Sequence, residues 1–161
     1  MRFIADVMLG KLARWLRILG YDTLYYPDIE DMVLIEKARK EQRILLTRDT
    51  RLIKRRGVPR YLFIEDNEPM KQLKQSITAF GLTTSNLLTR CIYCNEPLAD
   101  KKQEDVADMV PEHISATSDI FAGCPLCKKV YWKGSHIEKI NRYLERLLSY
   151  PKKPVGSNDA E

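Results

Sequence analysis

The residues with the clearest chemical potential are four cysteines, which form two Cys-x-x-Cys pairs: Cys91 with Cys94, and Cys124 with Cys127. Four thiolates in a tetrahedron are the ligand set of a structural Zn²⁺, and two short pairs supply them with little loop strain. Two disulfides would need an oxidising compartment, which we do not expect for a chain that shows no signal peptide. A redox pair would not need a second copy. We therefore predict a closed, structural zinc ribbon in the second half of the chain.

A second set of reactive side chains is acidic, and these acids come where apolar runs typical of strands end. The set consists of Asp6, Asp28, Asp31, Asp49, Glu65 and Asp66. Carboxylates that converge repel one another, so such a cluster is stable mainly when divalent cations neutralise it. Mg²⁺ and Mn²⁺ prefer oxygen ligands, and a pair of these ions can activate a water for attack on a phosphodiester. Because the first 90 residues contain neither Cys nor His, this pattern favours a nuclease.

Each acid also has a simpler interpretation when it is taken singly. Asp28, Asp49 and Asp66 occupy positions that suit a helix N-cap, and the other acids could be turn residues. Asp28 and Asp31 are three residues apart, so they would share one side of the first turn of a helix. The nuclease interpretation therefore depends on whether the fold brings the acids to one edge.

The elements that would position the acids alternate between strands and helices. Strands are predicted at about 3–7, 23–26, 43–47 and 61–64, and helices at about 9–19, 28–39 and 68–80, the first and last helix ending at Gly20 and Gly81. This alternation predicts an α/β fold: a parallel sheet with helices on both faces. The functional crevice of such a sheet lies beyond the carboxyl ends of its strands, which is where the acids fall.

The charge distribution indicates where a polyanion would bind. The net charge is +5. Residues 1–90 carry 17 basic and 11 acidic side chains, residues 91–127 carry 2 and 7, and residues 128–153 carry 8 and 2. On the first predicted helix, Lys11, Arg14 and Arg17 lie opposite an apolar face that includes Trp15, and a second basic cluster begins at Arg48. RNA would be held by these basic parts, although an unevenly charged, solvated surface is the alternative.

Several motifs together resemble the PIN-like RNase family named after the C-terminal domain of the Mut-seven exonuclease. They are IADVMLGKLARWLR at 4–17, LGYDT at 19–23, RILLTRD at 43–49, both cysteine pairs, and VYWKGSH at 130–136. The resemblance covers about residues 3–145 and implies a PIN-like, Rossmann-like nuclease domain joined to a zinc ribbon. By position, Asp6 and Asp49 match the family's acids after the first and third strands, and Asp28 and Asp31 match the pair after the second strand. Glu65 and Asp66 match a fourth acid only loosely.

The segment after the second cysteine pair offers further candidates for RNA contact. Tyr131 and Trp132 carry rings on which unpaired bases could stack, and Lys133 and His136 belong to the same motif. A ribbon strand that packs on the first domain is the alternative. With the basic residues, the predicted RNA-binding set is Lys11, Arg14, Arg17, Arg48, Tyr131, Trp132, Lys133 and His136. Apolar residues that recur after Gly134 predict a C-terminal helix with a core-facing side.

We therefore expect a nuclease domain at residues 1–86, a zinc ribbon with the C-terminal helix at 87–150, and a disordered tail at 151–161. The expected activity is metal-dependent endonucleolytic cleavage of single-stranded or loop RNA, with structural Zn²⁺ and catalytic Mg²⁺ or Mn²⁺. No apolar run approaches the ~18 residues of a membrane span, so we expect a cytoplasmic protein. A non-catalytic RNA-binding or ribosome-associated adaptor is the alternative. A phosphoacceptor domain fits less well, because Asp6 lacks a second acid beside it.

Overall fold

The computed structural model describes residues 1–118, 120–132 and 134–148, with the backbone alone at 135–137 and 148. The first 80 residues contain four strands and three helices. They are β1 (Arg2–Ala5), α1 (Gly10–Ile18), β2 (Asp22–Tyr25), α2 (Asp31–Lys40), β3 (Ile44–Thr47), β4 (Tyr61–Phe63) and α3 (Pro69–Phe80). The predicted alternation is confirmed. The first strand is shorter than expected, because Val7 begins a 3₁₀ turn that Asp6 caps.

The four strands form one parallel sheet in the order β2-β1-β3-β4. Successive residues of a strand point to opposite faces, and both faces are covered. Phe3 and Ala5 pack in a cluster with α1 and α3 on one face. Ile4 packs with Leu34 and Ile35 of α2 on the other face. Strands that are buried on both sides explain the continuous apolar runs in the sequence, and the predicted α/β architecture is confirmed.

The second half forms a small antiparallel sheet. Its strands are β5 (Ala99–Lys101), β6 (Phe121–Gly123) and β7 (Val130–Trp132), with the short helices α4 (Gln103–Val106) and α5 (Glu112–Thr117) between β5 and β6. Val106, Val110 and Phe121 form the core of this sheet. Among the described helices, none is both long enough and apolar enough to cross a membrane.

The C-terminal helix, α6 (Ser135–Leu148), packs on the core of the first sheet. Its Leu144 is fully buried in the cluster that includes Leu12 and Leu16, and α6 contacts α3. The apolar face of this helix is therefore core, as its spacing predicted. The sequence analysis placed α6 in the same segment as the ribbon, whereas in the structure α6 contributes to the core of the first sheet. The division into residues 1–86 and 87–150 stays a prediction, and the tail predicted at 151–161 lies outside the described residues.

Candidate active site and metal centre

The carboxyl edge of the parallel sheet, where β1 to β4 end, carries a hydrogen-bonded pair of acidic segments. Asp6 directly follows β1 and is only 4% exposed. Its Oδ1 accepts a hydrogen bond from the Val7 N–H at 2.7 Å, and its Oδ2 accepts one from the Thr47 hydroxyl at 2.6 Å. The same hydroxyl oxygen accepts the Asp49 N–H at 2.9 Å. Thr47, at the end of β3, therefore joins the acid after β1 to the segment that carries Asp49.

The sheet topology places this pair at a special point of the carboxyl edge. Strand β2 lies on one side of β1, and β3 and β4 lie on the other side, so the strand order reverses between β1 and β3. In open α/β sheets, ligands bind at the carboxyl ends of the strands at such a reversal, because the connections there leave toward opposite faces. The Asp6 and Asp49 segments flank this position.

The remaining predicted acids are arranged more loosely. Helix α2 begins at Asp31, so Asp28 precedes the helix and is exposed, and the two do not share its first turn. Asp31 forms an ion pair with Arg55 at 2.9 Å. Glu65 is exposed, and Asp66 accepts the Glu68 N–H at 2.8 Å.

The simpler helix-cap interpretation is also wrong for these acids. The N-cap positions of α2 and α3 are occupied by Glu30 and Glu68. Asp49 accepts the Arg51 N–H at 2.7 Å, two residues further on, as in an Asx turn. Within the described part of the chain, no three acids form a group with metal-ligand spacing. The acids at the carboxyl edge are therefore separate side chains, several of them with hydrogen-bond or ion-pair partners of their own, rather than one preformed ligand group.

Basic side chains surround this edge. Lys11 and Arg14 of α1 are exposed and line a cavity of about 480 Å³ together with Val7, Tyr25 and Asn67. Each of those three residues belongs to a segment at the end of a strand. Arg48 lies between Thr47 and Asp49, and its buried Nε has no hydrogen-bond partner among the described residues. A phosphate in this cavity would meet Lys11 and Arg14.

Arg17 does not lie at this edge but is buried between α1 and the first cysteine pair. The prediction that it contacts RNA is wrong. The side chain is only 6% exposed. Its Nε donates to the Thr23 carbonyl at 2.9 Å, and its Nη1 donates to the carbonyls of Ile92 and Tyr93 at 3.0 and 2.8 Å. The helical wheel put Arg17 on the solvent side of α1, but the first cysteine pair covers that side. Arg17 therefore holds the second half against the first.

Asn95, which directly follows the first cysteine pair, also joins the two halves of the chain. Asn95 Oδ1 accepts the Thr23 N–H at 2.8 Å, and Asn95 Nδ2 donates to Asp22 Oδ1 at 2.7 Å. Asp22 also forms an ion pair with the buried Arg43 at 2.7 Å. Burial raises the pKa of the Asp22 carboxyl, but the hydrogen bonds from Arg43 and Asn95 outweigh it, so the pKa is lowered from 3.8. The outer strand β2 is thus partly covered by the ribbon.

The four cysteines converge as predicted. Their Sγ atoms all lie within 4.8 Å of one another, and Cys91 and Cys127 are 3.6 Å apart. The four cysteines could therefore bind zinc. Four sulfur ligands would complete the shell of such an ion and leave no position for a reacting water.

The two cysteine pairs, which we call the first knuckle (91–96) and the second knuckle (124–129), share one backbone pattern. In each, the first cysteine's N–H donates five residues ahead: Cys91 to Glu96 at 2.8 Å, and Cys124 to Lys129 at 2.9 Å. The N–H of each second cysteine points at the first sulfur, at 3.3 and 3.4 Å. The following residue, Asn95 or Lys128, has a φ of 68° or 62°. The two knuckles therefore present their sulfurs through the same backbone turn.

The electrostatics of the cluster favour a cation. Burial raises the pKa of the Cys91 thiol, but hydrogen bonds from the Tyr131 hydroxyl and the Cys94 N–H outweigh it and bring the pKa to about 7. The pKa of Cys94 is raised instead, because its thiol hydrogen-bonds to Cys127. Neighbouring thiols cannot all ionise without a positive charge among them. A Zn²⁺ ion held by the four cysteines would supply that charge, and its binding would release the thiol protons.

The aromatic residues of β7 are partly buried by contacts within the ribbon, and their role in stacking stays a prediction. The Tyr131 hydroxyl lies 3.2 Å from Cys91 Sγ and accepts the Ile92 N–H at 3.3 Å, so its polar end supports the first knuckle. Trp132 packs against the ribbon core around Phe121. Both contacts lie within the ribbon, whereas the alternative to a stacking surface was a strand that packs on the first domain. Lys133 and the side chain of His136, also predicted as RNA contacts, lie outside the described residues.

Two residues of this region were missed by sequence reasoning. Thr47, the last residue of β3, bridges the acidic segments, and no local pattern in the sequence indicates this. Tyr93, at the tip of the first knuckle, is 51% exposed. Arg14 lies 5.8 Å and Lys129 lies 4.7 Å from its ring centroid. No spacing in the sequence links these three residues, because they come from α1 and from both knuckles.

Comparison with known proteins adds one finding. The family model described as the Mut7-C RNAse domain matches residues 1–144. These residues include the parallel sheet, both knuckles and most of α6. No curated protein and no solved structure shows a significant match to this chain. The family match extends over the acids of the carboxyl edge and all four cysteines together. The chain therefore belongs to the Mut7-C RNAse domain family.

Proposed function

We propose that this protein is a metal-dependent endoribonuclease with a PIN-like arrangement of sheet and acids, and that it cleaves single-stranded or loop RNA. The observation that carries the proposal is the Asp6–Thr47–Asp49 connection at the reversal point of the sheet. The RNase domain family to which the chain belongs supports RNA as the substrate class.

The chemistry of the acids at the carboxyl edge suits Mg²⁺ or Mn²⁺. Asp6 and Asp49 would hold the ion, with Asp28 and Asp31 on the neighbouring loop. All four offer oxygen ligands, which these cations prefer, and Mg²⁺ binds through one or two carboxylates while it keeps several waters. When bound, the ion would polarise a water and offset the charge of the phosphodiester. Glu65 and Asp66 stay outside this set, because Glu65 is exposed and Asp66 closes a turn.

The chain's own residues would prepare the substrate for that attack. Thr47 fixes the orientation of the Asp6 carboxylate through its hydrogen bond. Lys11, Arg14 and Arg48 would attract the RNA backbone and hold one phosphate at the edge. Asp31 is paired with Arg55, so Arg55 would leave Asp31 before that carboxylate could join the ligand set. The expected products carry 5′-phosphate and 3′-hydroxyl ends.

The test is cleavage of RNAs labelled separately at the 5′ and the 3′ end, with Mn²⁺ added. The wild type should produce internal cuts that disappear in EDTA. Asp6→Asn and Asp49→Asn should each lower the rate at least ~100-fold, because loss of a ligand should cost no less than loss of a supporting group. Asp108→Asn is the matched control, since Asp108 is an exposed acid of the ribbon. Cleavage that survives EDTA or both substitutions would contradict the proposal.

The non-catalytic adaptor remains the second candidate, and two observations favour it. Asp31 is engaged by Arg55, and no three acids form a ligand group within the described part of the chain. An adaptor would retain RNA without cutting it, and Asp6→Asn would leave that retention unchanged. The same labelled RNAs therefore distinguish the two functions.

A further inference from the structure

Tyr93 has a position that core packing does not explain. Its ring is half exposed at the tip of the first knuckle. Arg14 of α1 and Lys129 of the second knuckle both lie within 6 Å of the ring centroid, at 5.8 and 4.7 Å. Tyr93, Arg14 and Lys129 come from three separate segments, and together they combine a half-exposed aromatic ring with two cations that attract phosphate.

The backbone beneath the ring is held firmly. The Tyr93 carbonyl accepts the hydrogen bond from the buried Arg17, and the next N–H, of Cys94, points at Cys91 Sγ. Because the base of the side chain is fixed in advance, a ligand that stacks on the ring would lose little binding energy to ordering.

A continuous basic path connects Tyr93 to the carboxyl edge. Arg14 lies over Tyr93 and also lines the cavity that contains Val7 and Tyr25. Val7 follows Asp6 directly, and its carbonyl accepts the Tyr25 hydroxyl at 3.0 Å. Lys11, one turn before Arg14, lines the same cavity. A strand of nucleic acid could therefore pass from Tyr93 over Arg14 to Asp6.

We propose that Tyr93 is a stacking site for one unpaired base of single-stranded RNA, with Arg14 and Lys129 holding the adjacent phosphates, so that the zinc ribbon sets how the RNA enters the carboxyl edge. This proposal rests on the proposed function and deepens it. A duplex cannot use the site, because its bases are already stacked on each other. The site favours an unpaired base of any type, since every base has a π-face.

The test measures binding of a fluorescein-labelled, unstructured RNA of 12 nucleotides by anisotropy, with Ca²⁺ in place of Mn²⁺. Tyr93→Leu should weaken binding about tenfold, which is the effect of losing one stacked base. Tyr93→Phe keeps the ring and should bind within twofold of the wild type. Tyr61→Leu is the matched control, because Tyr61 is 44% exposed at the start of β4, away from the carboxyl edge. Zinc content and melting temperature of each variant are measured alongside.

A second measurement reports stacking directly. RNAs with 2-aminopurine at one position at a time should show quenched fluorescence at one position when bound to the wild type or to Tyr93→Phe, and no such quenching with Tyr93→Leu. Absence of position-specific quenching with the wild type would overturn the proposal. So would equal binding by Tyr93→Leu and the wild type, or an equal loss for Phe and Leu. Equal Tyr93 dependence for a duplex RNA would also overturn it.

The cleavage assay separates this proposal from the proposed function. If the wild type binds RNA through Tyr93 but cuts nothing with Mn²⁺, the stacking site stands and the nuclease assignment falls. If the wild type cuts RNA and Tyr93→Leu binds and cuts equally well, the nuclease assignment stands and the stacking site falls.

Discussion

Thr47 donates a 2.6 Å hydrogen bond to Asp6 from the end of the neighbouring strand, and both side chains are buried. A buried carboxylate that accepts hydrogen bonds from a hydroxyl and from a backbone N–H is held in one orientation, because turning it would leave both donors without a partner. The arrangement therefore fixes Asp6 before any substrate arrives. It also makes the geometry of the acid after β1 depend on a residue that carries no charge.

Substitution of Thr47 should consequently affect cleavage more than folding. Thr47→Val keeps the shape but removes the hydroxyl, so Asp6 and the Asp49 N–H each lose a partner. We expect the single-turnover cleavage rate with Mn²⁺ to fall roughly 10- to 100-fold, as for other groups that support a metal ligand. Thr47→Ser keeps the hydroxyl and should stay near the wild-type rate. An equal loss for Ser and Val would show that the hydroxyl is not responsible.

Arg17 should matter for stability. Arg17→Met keeps most of the aliphatic stem but leaves the buried carbonyl of Thr23 and the partly buried carbonyls of Ile92 and Tyr93 without this donor. Since each unsatisfied buried acceptor costs about 1–3 kcal/mol, we expect a loss of roughly 3 kcal/mol in the free energy of unfolding. Urea denaturation measures it. Lys11→Met, on the exposed side of the same helix, should change stability by less than about 0.5 kcal/mol.

The Asp22 carboxyl should contribute a pH-dependent part of stability. Its pKa in the folded protein is lowered from 3.8 by Arg43 and Asn95, despite the opposing effect of burial. The folded state thus binds the proton more weakly than the unfolded state, and the contribution is fully present above about pH 4. It is lost as the pH falls through the lowered value. Urea denaturation between pH 2 and 7 should show the difference between wild type and Asp22→Asn shrinking below pH 4. A constant difference would contradict this.

Zinc should be bound once per chain, and its removal should affect both halves. Cys127→Ser should lose the metal, as measured by elemental analysis. The site carries a net charge of about −2 when Zn²⁺ is bound to four thiolates, and the buried Arg17 lies against its first knuckle. Loss of zinc should release Asn95, so the Thr23 amide, which donates to Asn95, should exchange faster with solvent. Amides of the central strand β3 should remain protected. Unchanged exchange at Thr23 would show that the knuckle folds without metal.

Local patterns in the sequence predicted the sheet, its helices and the cysteine cluster, because each depends on residues close together in the chain or on a fixed spacing. Gly20 is an example: it has a φ of 89°, which glycine adopts easily, so this glycine in the sequence indicated where α1 ends. Acids at strand ends could be placed at one edge for the same reason, since parallel strands end together. The Thr47 bridge could not be foreseen, because it depends on the exact register between β1 and β3.

Contacts between distant segments account for the errors. Arg17 faces outward on an isolated helix, and only the knuckle 75 residues later buries it. Tyr131 and Trp132 suggested a stacking surface by residue type alone, whereas the contacts that they make in the structure lie within the ribbon. The sequence did not indicate a role for Tyr93, because the residues near its ring come from distant segments of the chain.

Helix α6 gives the ribbon a second point of attachment. The chain leaves the first sheet after α3, builds the ribbon, and returns to bury Leu144 against α1. The ribbon is therefore an insertion tethered at both ends, and its freedom to swing away from the sheet is small. A fragment that stops before α6 would leave an apolar groove open on the first sheet and should aggregate. The first sheet therefore needs α6, and truncating the chain after the ribbon would remove part of the sheet's core.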